Sequence, residues 1–179
     1  MELTEDTLID DTTPSRAAQL EQQIRDYYII STKLIWQRQA IFLAATILTS
    51  FYFDPSKSFG CYGAVLFTEL VDLVLARRVQ RRGPYDMATA RRFLAWILFN
   101  TVLSSLAICV FVFVVATQQS IGGHFTPLFF LFAAALFAAM NNHQLVPALA
   151  VRLTIYGVTF FAIVLMDIWR VRPPLSSEL

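Results

Sequence analysis

Charge is what this 179-residue chain has least of: 15% of its residues are Asp, Glu, Lys or Arg, while 56% are hydrophobic. A soluble domain carries about a quarter charged residues. The shortfall is concentrated in long apolar stretches, too long to hide inside one small globule, so the sequence reads as an integral membrane protein. Cysteine is almost absent. With only Cys61 and Cys109, a disulfide scaffold and a four-cysteine zinc site are excluded, and two free thiols are expected, with a single bridge near the outer face the alternative. Also missing are a Gly-rich phosphate loop, a nucleophile elbow, a two-histidine helix motif and a kinase signature. No catalytic residue, resident cofactor or metal is therefore expected, and the chain reads as a non-enzyme. No aromatic or Gly-rich pattern for nucleic acid accompanies the basic residues.

The net charge of +1 matters less than where the charges lie. Glu2, Glu5, Asp6, Asp10 and Asp11 precede the first base, so residues 1–13 read as a solvated acidic tail. That start lacks the basic-then-apolar signature of a cleavable signal, and the first apolar helix is expected to direct its own insertion. From Thr13-Pro14 onward Leu20, Ile24, Tyr27 and Tyr28 recur at helical spacing. This predicts an amphipathic helix that lies on the membrane surface or extends directly into the first span.

Five candidate spans follow, at about 34–53, 58–77, 92–116, 126–145 and 147–168, each near the ~20 residues that cross ~30 Å of hydrocarbon. "DPSK" turns the chain between the first two, Gly122-Gly123 breaks it after the third, and "NNHQLVP" makes a tight corner at which Pro147 opens the last helix. The predicted organisation is an all-α polytopic bundle over 34–172, preceded by the tail and amphipathic helix at 1–33 and followed by a tail at 173–179.

Orientation follows from basic residues in short loops. Arg16, Arg25, Lys33 and Arg38 precede span one, and Arg77, Arg78, Arg81, Arg82, Arg91 and Arg92 separate spans two and three; the 1–2 loop offers only Lys57. The amino terminus and the arginine loop are expected in the cytoplasm and the bundle in a bacterial inner membrane. The arginine loop sets topology and binds anionic lipid, or docks a cytoplasmic partner. Five spans would leave Arg170 and Arg172 outside, against this bias. Five spans remain the expectation, with two alternatives: span four as a re-entrant hairpin, giving four spans, or a sixth span after "RVRPPLSSEL".

The stretch "FTELVDLVLARRVQRR", residues 67–82, places two carboxylates inside an apolar run. At the helical rise, Glu69 lies roughly 16 Å and Asp72 roughly 21 Å below the outer face, Asn100 roughly 12 Å and Arg152 roughly 9 Å from the inner one. Glu69, Asp72, Asn100 and Arg152 thus share one slab. An intramembrane ion costs roughly 2.5–3.5 kcal/mol on insertion scales, so such groups face the bundle interior and pair. The spacing of Glu69 and Asp72 puts both on one helical face. Arg152 is expected to bridge them while Asn100 adds a hydrogen bond, either as a switch or as a static clasp. His124 and His143 stand at opposite ends of span four, about 28 Å apart, too far to ligate one centre. Ala134/Ala138 and Ala135/Ala139 are small-xxx-small pairs suited to close helix packing, and the Phe-rich side of the same span suits lipid.

"ELVDLVLARRVQRR", "NNHQLVPALAVRLTIYG" and "DIWRVRPPLSSEL" together resemble the amino-terminal membrane region of alphaproteobacterial sensor histidine kinases, hybrid ones included. The resemblance covers most of residues 30–179. It implies a membrane-embedded sensory module that passes a helix shift to cytoplasmic elements such as a kinase domain. The kinase domains themselves are absent here, so no catalytic residue carries over. The alternative from the residues alone is an accessory or assembly subunit beside a respiratory or photosynthetic complex, and an ion path through the polar slab is a third.

Overall fold

The computed structural model describes residues 16–81, 86–118 and 125–171. Among them every regular element is helical, in the order α1 (Arg16–Lys33), α2 (Ile35–Ser50), α3 (Pro55–Arg81), α4 (Met87–Gln118), α5 (Phe125–Asn141) and α6 (Val146–Val171). The protein is an all-α bundle. Three of the five expected spans, α3, α4 and α6, are long and apolar enough to cross a membrane. The other two are shorter: α2 has 16 residues and α5 has 17.

The amphipathic helix is an extension of α2. Leu34 interrupts the regular geometry, yet its N–H still donates to the Ile30 carbonyl and its own carbonyl accepts from Arg38, so the ladder runs through. Nor does α1 rest on a membrane surface by its apolar face alone. Ile24, Tyr27 and Tyr28 are fully buried against α3, α4 and the corner before α6, in a cluster with Ala76, Val79, Ile97 and Leu145.

Turn chemistry fixes the other joints. Asp54 caps α3 by accepting the Ser56 N–H at 3.0 Å, with Pro55 at the first helical position, where a missing N–H costs nothing. Its own N–H donates to the Gln118 side chain at the far end of α4. Asp86 caps α4 through the Met87 N–H. At the α5–α6 corner the Leu145 N–H donates to the Asn142 carbonyl, and Pro147 lies in the first turn of α6 as expected.

The most buried helix is α4, which packs on α1, α3, α5 and α6. Its inward stripe sorts by chemistry: Ile97 at one end, then Asn100, Thr101, Ser104 and Ser105, then Ile108, Phe111, Val112 and Val115. A polar band therefore separates two apolar clusters, the one built on α1 and a second that joins Val65, Val112, Leu131, Tyr156 and Ile163. The fold puts the four residues expected in the polar slab, Glu69, Asp72, Asn100 and Arg152, at that boundary.

Candidate functional site: a polar clasp at the end of an apolar cavity

Glu69 and Asp72, one turn apart on α3, both point into the bundle, as their spacing requires. Their partners differ from expectation. Glu69 Oε2 is paired at 2.7 Å with Nη2 of Arg38, a residue counted in the sequence as a flanking topology charge and found here almost wholly buried. Arg152 does not bridge the carboxylates. Among the described residues it makes no ion pair within 4 Å; its Nη2 donates to Ser104 Oγ at 3.3 Å, and its Nε is buried without a partner. The physical reason is reach: Arg38 enters from the helix beside α3, whereas Arg152 enters from α6, on the far side of α4.

Asp72 is held by two neutral donors. The Asn100 Nδ2 donates to its Oδ1 at 3.0 Å and also to the Thr68 carbonyl at 3.3 Å, the hydrogen bond anticipated for Asn100. The Ser31 hydroxyl donates to Asp72 Oδ2 at 3.4 Å while accepting from the same Arg38 nitrogen at 3.3 Å. Glu69, Arg38, Ser31, Asp72 and Asn100 thus form one continuous chain across α3, α2, α1 and α4. A buried ion pair is stable only so far as its remaining hydrogen-bonding capacity is used; the relay satisfies Arg38 Nη2 and both Asp72 oxygens but leaves Arg38 Nε and Asn100 Oδ1 buried without a partner.

Above the clasp lies an apolar cavity of about 150 Å³. Its polar end is formed by Arg38, Thr68, Glu69, Ser104, Arg152 and Tyr156. Phenylalanines from α2, α4 and α5 and alanines from α5, Ala134 and Ala138 among them, form the rest. The expected small-residue pairing is therefore half right. Ala138 is buried and Ala134 packs on the second cluster, but Ala139 is exposed. The cavity has a side door, because α2 packs mainly on α3, and α5 on α4 and α6, with scarcely any packing between α2 and α5. Ile41 stands at this opening, lining the cavity while 50% exposed.

The remaining expectations fall elsewhere. Arg77, Arg78, Arg81, Arg91 and Arg92 are exposed at the ends of α3 and α4; Arg82 lies outside the described residues, as do the acidic tail and His124. A groove between α3 and α4 runs up to Arg78 and Arg92, with Phe67, Leu70 and Trp96 along it. His143 is exposed in the α5–α6 corner and bonds to the Met140 carbonyl. Cys61 and Cys109 are free thiols. Phe125, Phe129 and Phe132 are exposed along one side of α5.

Two residues of the clasp escaped the sequence, Arg38 and Ser31. The signal that finds them is the apolar stripe of α1 carried past Leu34: positions 24, 27/28, 31, 38, 42 and 45 lie on one continuous helical face. No protein-family model, curated protein or solved structure matches the chain.

Proposed function

We propose that this protein is an inner-membrane sensory module, with its amino terminus and arginine segment in the cytoplasm, that converts occupancy of the cavity into a movement of α1. The single observation that carries this reading is the composition of the clasp. Arg38 and Glu69 belong both to the cavity wall and to the relay that continues through Ser31 of α1 to Asp72 and Asn100. A molecule that enters the cavity meets the same guanidinium that holds α1. A ligand shifts a two-state element only through differential contacts with its two states, and a ligand seated beside the Arg38–Glu69 pair, which lines the same cavity, offers that difference. α1 leads out to the acidic tail, so its displacement is a cytoplasmic output. In this reading α2 and α5 complete a five-span bundle, α2 lengthened by its continuity with α1. Anionic lipid headgroups pair with Arg78 and Arg92 at the α3–α4 groove.

The test is a distance measurement between spin labels at Gln22→Cys on α1 and Gln80→Cys on α3, both exposed positions, in a Cys61→Ser/Cys109→Ala background in lipid nanodiscs. The sensory reading expects two distances whose populations change between the parent and Glu69→Gln. A single distance, the same in both, makes the clasp a static brace and ends the reading.

A further inference from the structure

The cavity's own charge arrangement specifies what it takes. Three ionised side chains line it: Arg38, Glu69 and Arg152. The first two neutralise one another at 2.7 Å. Asp72 lies behind them, facing Ser31 and Asn100 rather than the cavity, with no cation within 4 Å among the described residues. Arg152, within the field of Asp72 and Glu69 but pairing with neither inside 4 Å among the described residues, has one neutral hydroxyl partner and, like Arg38, a buried, unbonded Nε. A cation in such surroundings is costly until an anion meets it. Guanidinium geometry takes a carboxylate or a phosphate by two parallel hydrogen bonds, and of the two the carboxylate is the smaller group for so small a space.

Beyond Arg152 the walls are apolar. Phe42, Val65, Phe111, Val112, Phe130 and Phe137 offer no further charge. A cavity of about 150 Å³ holds a ring-sized or short aliphatic segment, not a whole lipid. The opening between α2 and α5 lets the rest of a longer chain lie outside against exposed apolar residues such as Ile41. Polarity along the cavity also has a direction. Arg152 and Ser104 stand at one end of the cavity, near mid-depth, while Phe111 and Phe130 stand toward the other. An amphiphile seated there has its charged end at Arg152 and its tail among the phenylalanines.

We infer that the cavity is a binding site for a long-chain fatty-acid anion that enters from the membrane between α2 and α5, its carboxylate on Arg152 and its first methylenes among the phenylalanines. The assignment names the input of the module proposed above and rests on that reading for its role, but its geometry stands separately.

The experiment is equilibrium binding of radiolabelled oleate to the purified full chain, freed of bound lipid and reconstituted in nanodiscs. The expected result is saturable binding that oleate methyl ester, which lacks the charge, fails to compete, and that hexanoate, soluble and short, competes only weakly. Arg152→Gln should weaken oleate by at least about thirtyfold, as loss of one partner of a desolvated charge pair does. Ala134→Phe, which fills the cavity and alters no charge, should abolish saturable binding while the protein remains folded, so the inference survives even a failure of Arg152→Gln to fold. Competition by the methyl ester equal to that of oleate overturns it, as does binding that both variants leave unchanged. Hexanoate binding as tightly as oleate would assign the site to a soluble carboxylate and overturn the membrane route. Oleate binding that leaves the Gln22–Gln80 distances unmoved would sink the sensory reading and spare the site; moving distances without oleate binding would do the reverse.

Discussion

The cluster around Ile24, Tyr27 and Tyr28 and the cluster around Val112, Leu131 and Tyr156 use much the same residues, yet only the second borders the cavity at the clasp, while Leu75, Val71 and Phe93 beside the first line the open groove between α3 and α4. In the first, α1 drives two tyrosines between α3 and α4, with the corner leucine, Leu145, closing the end, and the crevice among Tyr28, Ser31, Arg38 and Asp72 has no space for even a water. In the second, α2 and α5 diverge and alanines stand where large side chains would fill the gap. The polar band lies between them. The crevice on the Asp72 side of the ion pair is filled and the cavity on the Glu69 side is open, and the ion pair sits where the two meet. Helix packing in a membrane comes from close contact more than from burial as such, so a deliberate gap carries a real cost in stability.

Mutations can break this contrast. The largest effect is expected at the boundary. Arg38→Ala strands Glu69 and removes the donor to Ser31, and should cost about 3–5 kcal/mol in reversible unfolding from detergent micelles, the range for a buried pair that loses one partner. Next comes the closed half, where Ile24→Ala should cost about 2–4 kcal/mol in the same assay. The contrast sharpens with added volume. Ala76→Leu, in the closed cluster, should destabilise by about 1–3 kcal/mol through overpacking, whereas Ala134→Leu, on the cavity wall, should stay within about 1 kcal/mol of the parent. Equal costs for the two would mean the halves do not differ. The smallest effect belongs far from the boundary: Asp54→Ala removes the α3 cap and should cost about 1 kcal/mol.

Much of this was legible in the sequence, because helices in apolar segments announce themselves by length and by Asp-Pro or Asn-rich corners. Depth counting put Glu69, Asp72, Asn100 and Arg152 in one slab, and the structure places all four at the polar band. What failed was the pairing. Depth is a coordinate along the membrane normal and says nothing about which helix is whose neighbour, so Arg152 was assigned to carboxylates it does not reach. Arg38 was missed for a related reason. A positive residue near the start of an apolar run counts as a topology charge only if the helix begins there, and α1 and α2 instead run together through Leu34, which puts Arg38 well inside a long rod. The cavity was not legible at all. It depends on the divergence of α2 from α5, a property of the assembled bundle rather than of any one segment.

The most direct test of the account is a pair of double-mutant cycles on unfolding free energy, one joining Arg38→Gln with Glu69→Gln and the other joining Arg152→Gln with Glu69→Gln. The account predicts a coupling of at least about 1 kcal/mol in the first, above the usual worth of a polar contact inside a membrane, and little in the second. Strong coupling to Arg152 with none to Arg38 would contradict it, because the clasp would then not be the element that ties α1 and α2 to the cavity.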